Sequence, residues 1–372
     1  MQKRESMFFI IFISGFFLIM MIVDFMNEDR IFSSNENRML ATKPEFTVSA
    51  VMDKSYMTDY ETYLTDQFVG RDEWVMLKTA TELTLQKKDI NGVYIGNDNY
   101  LIEQHTNKEV LKYNPEQKAE KLVSFLHEYG QKLGTDRVKA MLVPTADNIL
   151  TDKLPSFAEA FDQKSYVADL AFSTNQIIDV SDTLTAHNSE YIYYKTDHHW
   201  TTFGAYYAYT KWAEEMGFTP WNKEDFIIET ASEDFYGTIY SKLNIAREAD
   251  TIHLFYPKQK TSYEVYYDKT TEAIDSLYKT EHLTTKNKYA VFLDDNHPFI
   301  EIKTQNTNGR NLLVIKDSYA NCFVPFVANH YENVYMIDLR HYMGNIEDVV
   351  TDYGITDILV LYDVIHFIEN FR

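Results

Sequence analysis

The sequence predicts an α/β domain with a parallel sheet and helices on both of its faces, carried behind one apolar N-terminal helix. Two observations predict the domain. Short runs of branched apolar residues alternate with segments of helical period, and the runs stop at turn signals. A third observation predicts the helix: residues 7–23 carry no charge at all.

A bilayer core needs about 20 mainly apolar residues, and residues 7–23 with Phe25 and Met26 beyond Asp24 come close to that. Lys3 and Arg4 precede the run, whereas Asp24, Glu28 and Asp29 follow it. The positive-inside bias therefore puts the N-terminus in the cytoplasm and the rest outside, as a single-pass protein of the cell membrane. The run is long for a signal peptide, and Val23-Asp24-Phe25-Met26 lacks the small residues of a cleavage site, so the expectation is an uncleaved anchor.

Residues 28–47 are polar and irregular and read as a stalk. Residues 52–68 place Met57, Tyr60, Tyr63, Leu64 and Phe68 at helical spacing, and residues 71–86 do the same with Trp74, Val75 and Leu77. Both stripes are expected to face a core. Residues 91–102 alternate apolar runs with turn residues, as a hairpin does. Asn114, Pro115 and Gln117 mark a helix start, with Leu122, Phe125, Leu126 and Tyr129 on one face. Strands are expected at 138–143, 176–180, 311–315, 334–337 and 358–362, and a helix from Ala205 to Met216. Residues 236–308 are rich in β-branched and aromatic residues and read as an insertion of short strands and loops. The expected organisation is a cytoplasmic tip and anchor over residues 1–30, a helical region packed on the core over 31–134, and a catalytic domain over 135–372.

The net charge is −21, which argues against nucleic acid as a partner because phosphate binding needs a basic surface. The single cysteine, Cys322, forms no intrachain disulfide and reads as a small buried hydrophobe. With only 12 glycines there is no glycine-rich phosphate loop, and no cofactor is expected.

Two short segments carry chemistry. Asp197-His198-His199-Trp200 gathers an acid, two imidazoles and an indole ahead of a helix. If the segment is extended, Asp197 and His199 point to one side and His198 to the other, which selects His199 as base and Asp197 as its orienter. Ser318 follows a buried-type strand at a strand-to-helix turn, where a nucleophile stands exposed beside free backbone N–H groups. A serine needs such a base, and the base needs such a carboxylate. Taken alone, Ser318 also reads as a helix N-cap, and Asp-His-His also reads as a polar turn or a metal site.

Asp197-His198-His199-Trp200 resembles the signature of the DHHW protein family. Lys316-Asp317-Ser318-Tyr319-Ala320-Asn321 and Asp338-Leu339-Arg340 look like its later blocks. That family is similar in turn to the periplasmic alginate O-acetyltransferases, which have an SGNH-hydrolase-like (flavodoxin-like) fold and carry the Asp-x-His pair ahead of the serine, as here. The resemblance implies an acetyl-enzyme on Ser318, with His199 as base and Asp197 orienting it. It further implies O-acetylation of an exported polysaccharide, with acetyl groups delivered by a membrane-bound O-acyltransferase partner.

Other residues are candidates for binding substrate or an oxyanion. Asn296 offers an amide, or is simply a loop asparagine. Tyr319 and Asn321 border the serine. His198 lines the cleft or bonds the backbone. Trp200 stacks on a sugar ring or packs the motif. Arg340 holds an anionic substrate or pairs with an acid. Three alternatives compete: an acetylesterase with the same triad, a non-catalytic accessory protein, and a metal-dependent phosphoesterase whose further ligands would come from Asp294, Asp295 and His297. No metal is expected under the leading reading.

Overall fold

The computed structural model describes residues 2–33, 38–245 and 247–372. Met1 of the expected tip, residues 34–37 of the expected stalk and Ala246 of the expected insertion lie outside the described residues. The chain falls into two compact units, residues 1–87 with 241–246 and residues 88–240 with 247–372.

In the first unit, α1 (Gln2–Met26) includes a 21-residue stretch, Arg4–Asp24, of mean hydropathy 2.7. It is long and apolar enough to cross a membrane or to serve as a signal sequence. Then come α2 (Ser55–Gln67) and α3 (Arg71–Thr84). The helix expected from residue 52 starts later, because Lys54 takes a left-handed conformation (φ 69°) between α2 and the short helix Val48–Met52. The apolar stripes expected to face a core do not: Met57 is 64% exposed, Leu64 45% and Leu77 56%. Side-chain to backbone hydrogen bonds order this unit instead. The Gln67 amide accepts from the Arg30 N–H and donates to the carbonyls of Arg30 and Ala41 (2.8–2.9 Å). Asp66 Oδ2 accepts from the Ala41 N–H at 2.9 Å.

The second unit opens with the expected hairpin, β1 (Val93–Ile95) and β2 (Leu101–Glu103), turned through Asp98 and Asn99 at positive φ. Helix α4 (Pro115–Leu133) begins at its proline, whose missing N–H costs nothing at a helix start. It buries Leu122, Leu126 and Tyr129, though the Asn114 side chain makes no capping bond. The chain continues through β3 (Val138–Val143), α5 (Gln163–Ser173) and α6 (Thr202–Glu215). A hairpin of β4 (Phe226–Phe235) and β5 (Asp250–Pro257) follows, then β6 (Tyr263–Tyr267) and β7 (Phe299–Thr304). The last stretch is β8 (Asn311–Lys316), α7 (Ala320–Val327), β9 (Asn333–Ile337), α8 (Ile346–Asp352), β10 (Asp357–Asp363) and α9 (Val364–Asn370).

The main sheet has the order β3-β10-β8-β9-β7-β6. The first four strands are parallel, while β7 and β6 join the edge antiparallel. The sheet is therefore mixed rather than wholly parallel. Only β7 runs against the rest, since β6 pairs antiparallel with β7 and so regains the common direction; both come from the region read as an insertion, and an antiparallel strand added to a parallel sheet is common. Residues 176–180 were expected as a strand but add only one bridge, Ile177 to Ala140. A turn follows at once, where Asp179 Oδ1 accepts from the Ser181 N–H at 2.8 Å.

Alternate residues of each parallel strand enter opposite cores. Met141, Leu312, Val314, Leu359 and Leu361 pack toward α6 and α7. Leu142, Leu313, Ile315, Ile358 and Val360 pack toward α4, α5, α8 and α9. Both faces are thus covered, so the central strands read as continuous apolar runs. Their carboxyl ends lie side by side on one edge of the sheet, where open α/β sheets hold their ligands.

Leu361 is fully buried in this layer. Leu361→Ala should lower unfolding stability by about 2–5 kcal/mol, read as a reduced urea midpoint of the purified full chain.

Candidate active site

Strand β8 ends at Lys316, and Ser318 stands two residues on, ahead of α7. The turn is shaped by Asp317. Its Oδ1 accepts from the Tyr319 N–H (2.8 Å) and its Oδ2 from the Asp363 N–H (2.9 Å), which ties the end of β8 to the end of β10. Lys316 is fully buried beneath the turn and donates to Asn296 Oδ1 (2.8 Å) and Asn321 Oδ1 (2.7 Å). Burial pushes its ammonium down to about 8 against the pull of Asp338.

Residues 197–199 are a bend and not a strand. Asp197 Oδ1 accepts from the His199 N–H at 3.0 Å, which closes an Asx-type turn and swings the His199 ring over the same oxygen. His199 Nδ1 lies 2.5 Å from Asp197 Oδ1, and Nε2 lies 2.7 Å from Ser318 Oγ. An ionised carboxylate cannot donate, so Nδ1 carries the proton and Nε2 is left to accept from the serine hydroxyl. Burial alone would raise the Asp197 carboxyl, but the His199 and His198 imidazoles and the hydrogen bonds from His199 and Thr238 hold it well below its usual range.

The other Asp197 oxygen is held from residues 237–238. Thr238 donates its N–H at 2.9 Å and its Oγ at 3.2 Å to Oδ2. A Cβ on Gly237 would collide with the Asp197 carboxyl, so only glycine lets the chain come this close. Asp250, at the start of β5, anchors the preceding backbone. It accepts from the Lys195 and Thr196 N–H groups (2.7 Å each) and from the Thr196 and Tyr191 hydroxyls (2.5 Å each). Tyr289 lies flat on the His199 ring (centroids 3.8 Å apart, 10° between planes) and donates its hydroxyl to the Ser318 carbonyl at 3.1 Å.

The structure thus brings Asp197, His199 and Ser318 into one line of hydrogen bonds, and all three are buried. Such a line can take the proton of the serine hydroxyl onto His199.

The remaining candidates sit elsewhere. Asn296 and Asn321 have their amide oxygens on Lys316 and their amide nitrogens on Asp295, so both brace the turn from below. Trp200 is 0% exposed and cannot stack on a sugar; its Nε1 donates to the Tyr319 carbonyl at 3.0 Å. Tyr319 is buried and donates to the His198 carbonyl at 2.5 Å. Arg340 pairs with Asp338 through Nε (2.9 Å) and Nη2 (2.5 Å), so the acid-pairing reading holds over an anion-binding one. His198 does not point away from His199: the two rings lie 3.8 Å apart, and His198 Nδ1 meets Thr238 Oγ1 at 2.7 Å. Burial pushes His198 down to about 3 and leaves it neutral. Cys322 is buried, as expected of a small hydrophobe.

The sequence reading missed a second acid–imidazole pair. At the end of β10, Asp363 holds the His366 ring, while its Oδ1 accepts from the His366 N–H at 2.9 Å. Asp363 holds His366 protonated, up to about 10. Asp317 beside it is raised by burial and by the Asp363 charge. Among the described residues, two groups have ligand atoms close enough for a metal: Asp197, His198 and His199, and Asp317, Asp363 and His366. In the first, both His199 nitrogens already have partners. The further ligands imagined for a metal site pair among others: Asp294 with His282 at 2.6 Å, and His297 with Asp268 at 2.8 Å.

No curated protein matches the chain. Among solved structures it is similar to a DHHW family protein from Eubacterium siraeum DSM 15702, with 26% identity, 75% of this chain and 93% of that one covered, and a TM-score of 0.62. It is also similar to Bacillus cereus PatB1 with a sulfonyl adduct, with 23% identity, 76% and 100% coverage, and a TM-score of 0.60. A second structure of Bacillus cereus PatB1 gives 23% identity, 74% and 98% coverage, and a TM-score of 0.61. The DHHW protein family profile matches residues 112–337, more than half of the sequence, and the chain belongs to the DHHW family.

Proposed function

We propose that this protein is a membrane-anchored O-acetyltransferase that modifies an exported cell-surface polysaccharide through an acetyl-serine on Ser318, within an SGNH-hydrolase-like domain. The observation that carries the reading is the unbroken run Asp197–His199–Ser318, at 2.5 and 2.7 Å, at the carboxyl edge of the parallel strands. Helix α1 is the anchor, with Lys3 and Arg4 ahead of its apolar run, the N-terminus cytoplasmic and the catalytic residues outside.

In the first half-reaction Ser318 Oγ attacks the acetyl carbonyl and passes its proton to His199 Nε2. The bond to the donor's leaving group breaks, and His199 returns the proton to that group. In the second, a sugar hydroxyl gives its proton to His199 and attacks the acetyl carbon. Ser318 Oγ leaves and takes the proton back. Asp197 stays ionised throughout and holds Nδ1–H toward itself, so that Nε2 always faces the reacting oxygen. The implied acetyl supplier is a membrane-bound O-acyltransferase. An acetylesterase would share every step except the last acceptor, with water in place of the sugar.

PatB1 was captured with a sulfonyl adduct, so a sulfonyl fluoride is a suitable first reagent. Treated full chain should gain one adduct on Ser318, read by mass spectrometry of its peptides, and Ser318→Ala should gain none while keeping its circular dichroism. An adduct formed equally well in Ser318→Ala would end the proposal.

Acetyl transfer from p-nitrophenyl acetate should fall about 10⁴-fold in Asp197→Ala, the scale set by losing the orienting acid of a serine–histidine–acid set. A loss of less than about tenfold would remove Asp197 from the mechanism.

A further inference from the structure

Two imidazoles stand side by side in the 197–199 bend, and the reaction steps use only the inner one. The ring of the outer one, His198, lies 3.8 Å from that of His199. Its Nδ1 is 3.9 Å from Asp197 Oδ1, too far for a hydrogen bond, but 2.7 Å from Thr238 Oγ1. Thr238 Oγ1 in turn lies 3.2 Å from Asp197 Oδ2. A line of two contacts thus runs from the outer ring, through a hydroxyl, to the acid that orients the inner ring.

The protons on this line can be placed. Asp197 is ionised and has no proton to give, so its contact with Thr238 Oγ1 is a hydrogen bond only when the hydroxyl donates. A hydroxyl has one proton. Given to Asp197, it leaves Thr238 Oγ1 with lone pairs alone toward His198, and the 2.7 Å contact there then requires His198 Nδ1 to donate. The reverse order turns the hydroxyl to a bare Nδ1. It sets an oxygen and a nitrogen lone pair against the carboxylate, at 3.2 and 3.9 Å, beside a buried charge whose repulsions are little screened. His198 also has a single proton to place. Burial opposes a second one, and so does the protonated His366 ring, 5.7 Å away edge-on. That proton therefore sits on Nδ1, and Nε2 carries a lone pair.

From this geometry we infer that His198 is a positioning residue, which acts through Thr238 by committing the threonine hydroxyl proton to Asp197 Oδ2. The hydroxyl then joins the Thr238 N–H, 2.9 Å away, in holding Oδ2, and Oδ1 stays turned to His199 Nδ1. Both imidazoles of the motif carry their proton on Nδ1, one facing the acid directly and the other through a hydroxyl. The effect on Ser318 rests on the acetyl-serine reading; the direction of the proton line does not. Position 238 needs a β-hydroxyl, which serine also has. Position 198 needs a donor where Nδ1 stands, and the amide nitrogen of asparagine falls at the same place along the side chain.

The first test is nitrogen NMR of the full chain in detergent, with isotope-labelled histidine and the His198 signals assigned by their loss in His198→Asn. Nδ1 should carry the proton and Nε2 should show the shift of a bare imidazole nitrogen. A proton on Nε2 instead would overturn the inference. The second readout is the rate at which a sulfonyl fluoride labels Ser318. Thr238→Val and His198→Leu should each slow labelling about tenfold or more, the scale of one hydrogen bond to a charged group. Thr238→Ser and His198→Asn should recover to within about threefold of the unaltered chain, a rescue that a merely space-filling role does not explain. Because the two residues act in series, the double variant His198→Leu, Thr238→Val should be no slower than the slower single one. Losses that multiply in the double variant, or single variants that label at the unaltered rate, would overturn the positioning role. An unaltered chain that takes no label counts against the acetyl-serine, and the NMR result then decides the proton line by itself.

Discussion

The Asp197 carboxylate is buried, and it stays ionised there because four donors converge on it: the backbone N–H and ring Nδ1–H of His199, and the N–H and hydroxyl of Thr238. A buried carboxylate without such partners would rather take up a proton than pay for its desolvation. Each donor has a structural precondition. The His199 bonds need the 197–199 bend, and that bend hangs from the Asp250 carboxylate through the N–H groups of Lys195 and Thr196. The Thr238 bonds need a backbone approach that any side chain at position 237 would block. The geometry of the histidine is therefore set by residues as far along the chain as the start of β5.

The serine half is held by a parallel device. The Asp317 carboxylate accepts the Tyr319 and Asp363 N–H groups, so the turn carrying Ser318 is fixed to the neighbouring strand end rather than left as a mobile loop. Lys316, Asn296 and Asn321 form a satisfied polar layer under it, which a buried ammonium requires. Tyr289 then joins the halves, with its ring on His199 and its hydroxyl on the Ser318 carbonyl. Groups set on strand ends and packed rings keep the positions that proton transfer demands.

The sequence made part of this legible for physical reasons. Strands β8, β9 and β10 are buried on both faces, so their centres appear as unbroken apolar runs, and a serine just past such a run is conspicuous. Asp197 and His199 were selected by pleat alternation, yet the segment is a bend, and an Asx-type bond does the aligning. The pairing emerged because both geometries bring residues i and i+2 together. Tyr289, Thr238 and Asp250 were not legible, since none belongs to a motif and each acts through a contact between distant segments; the Asp363–His366 pair is local, an acid capping the helix start three residues before its histidine, and what hid it is that only the fold sets it beside Asp317. The stripes of α2 and α3 misled in the other direction: helical period marks an apolar face but does not say what covers it.

The second acid–imidazole pair alters how the first is read. His366 is held protonated by Asp363, and its ring lies 5.7 Å edge-on from that of His198. That positive charge adds to burial in keeping His198 neutral. Of the two imidazoles beside Asp197, one is thus kept from competing for the acid's charge, and His199 alone is aligned between an acid and a hydroxyl. The order Asp-His-His is then a division of labour imposed by surroundings: the outer ring meets the Thr238 hydroxyl, and the inner one faces the serine.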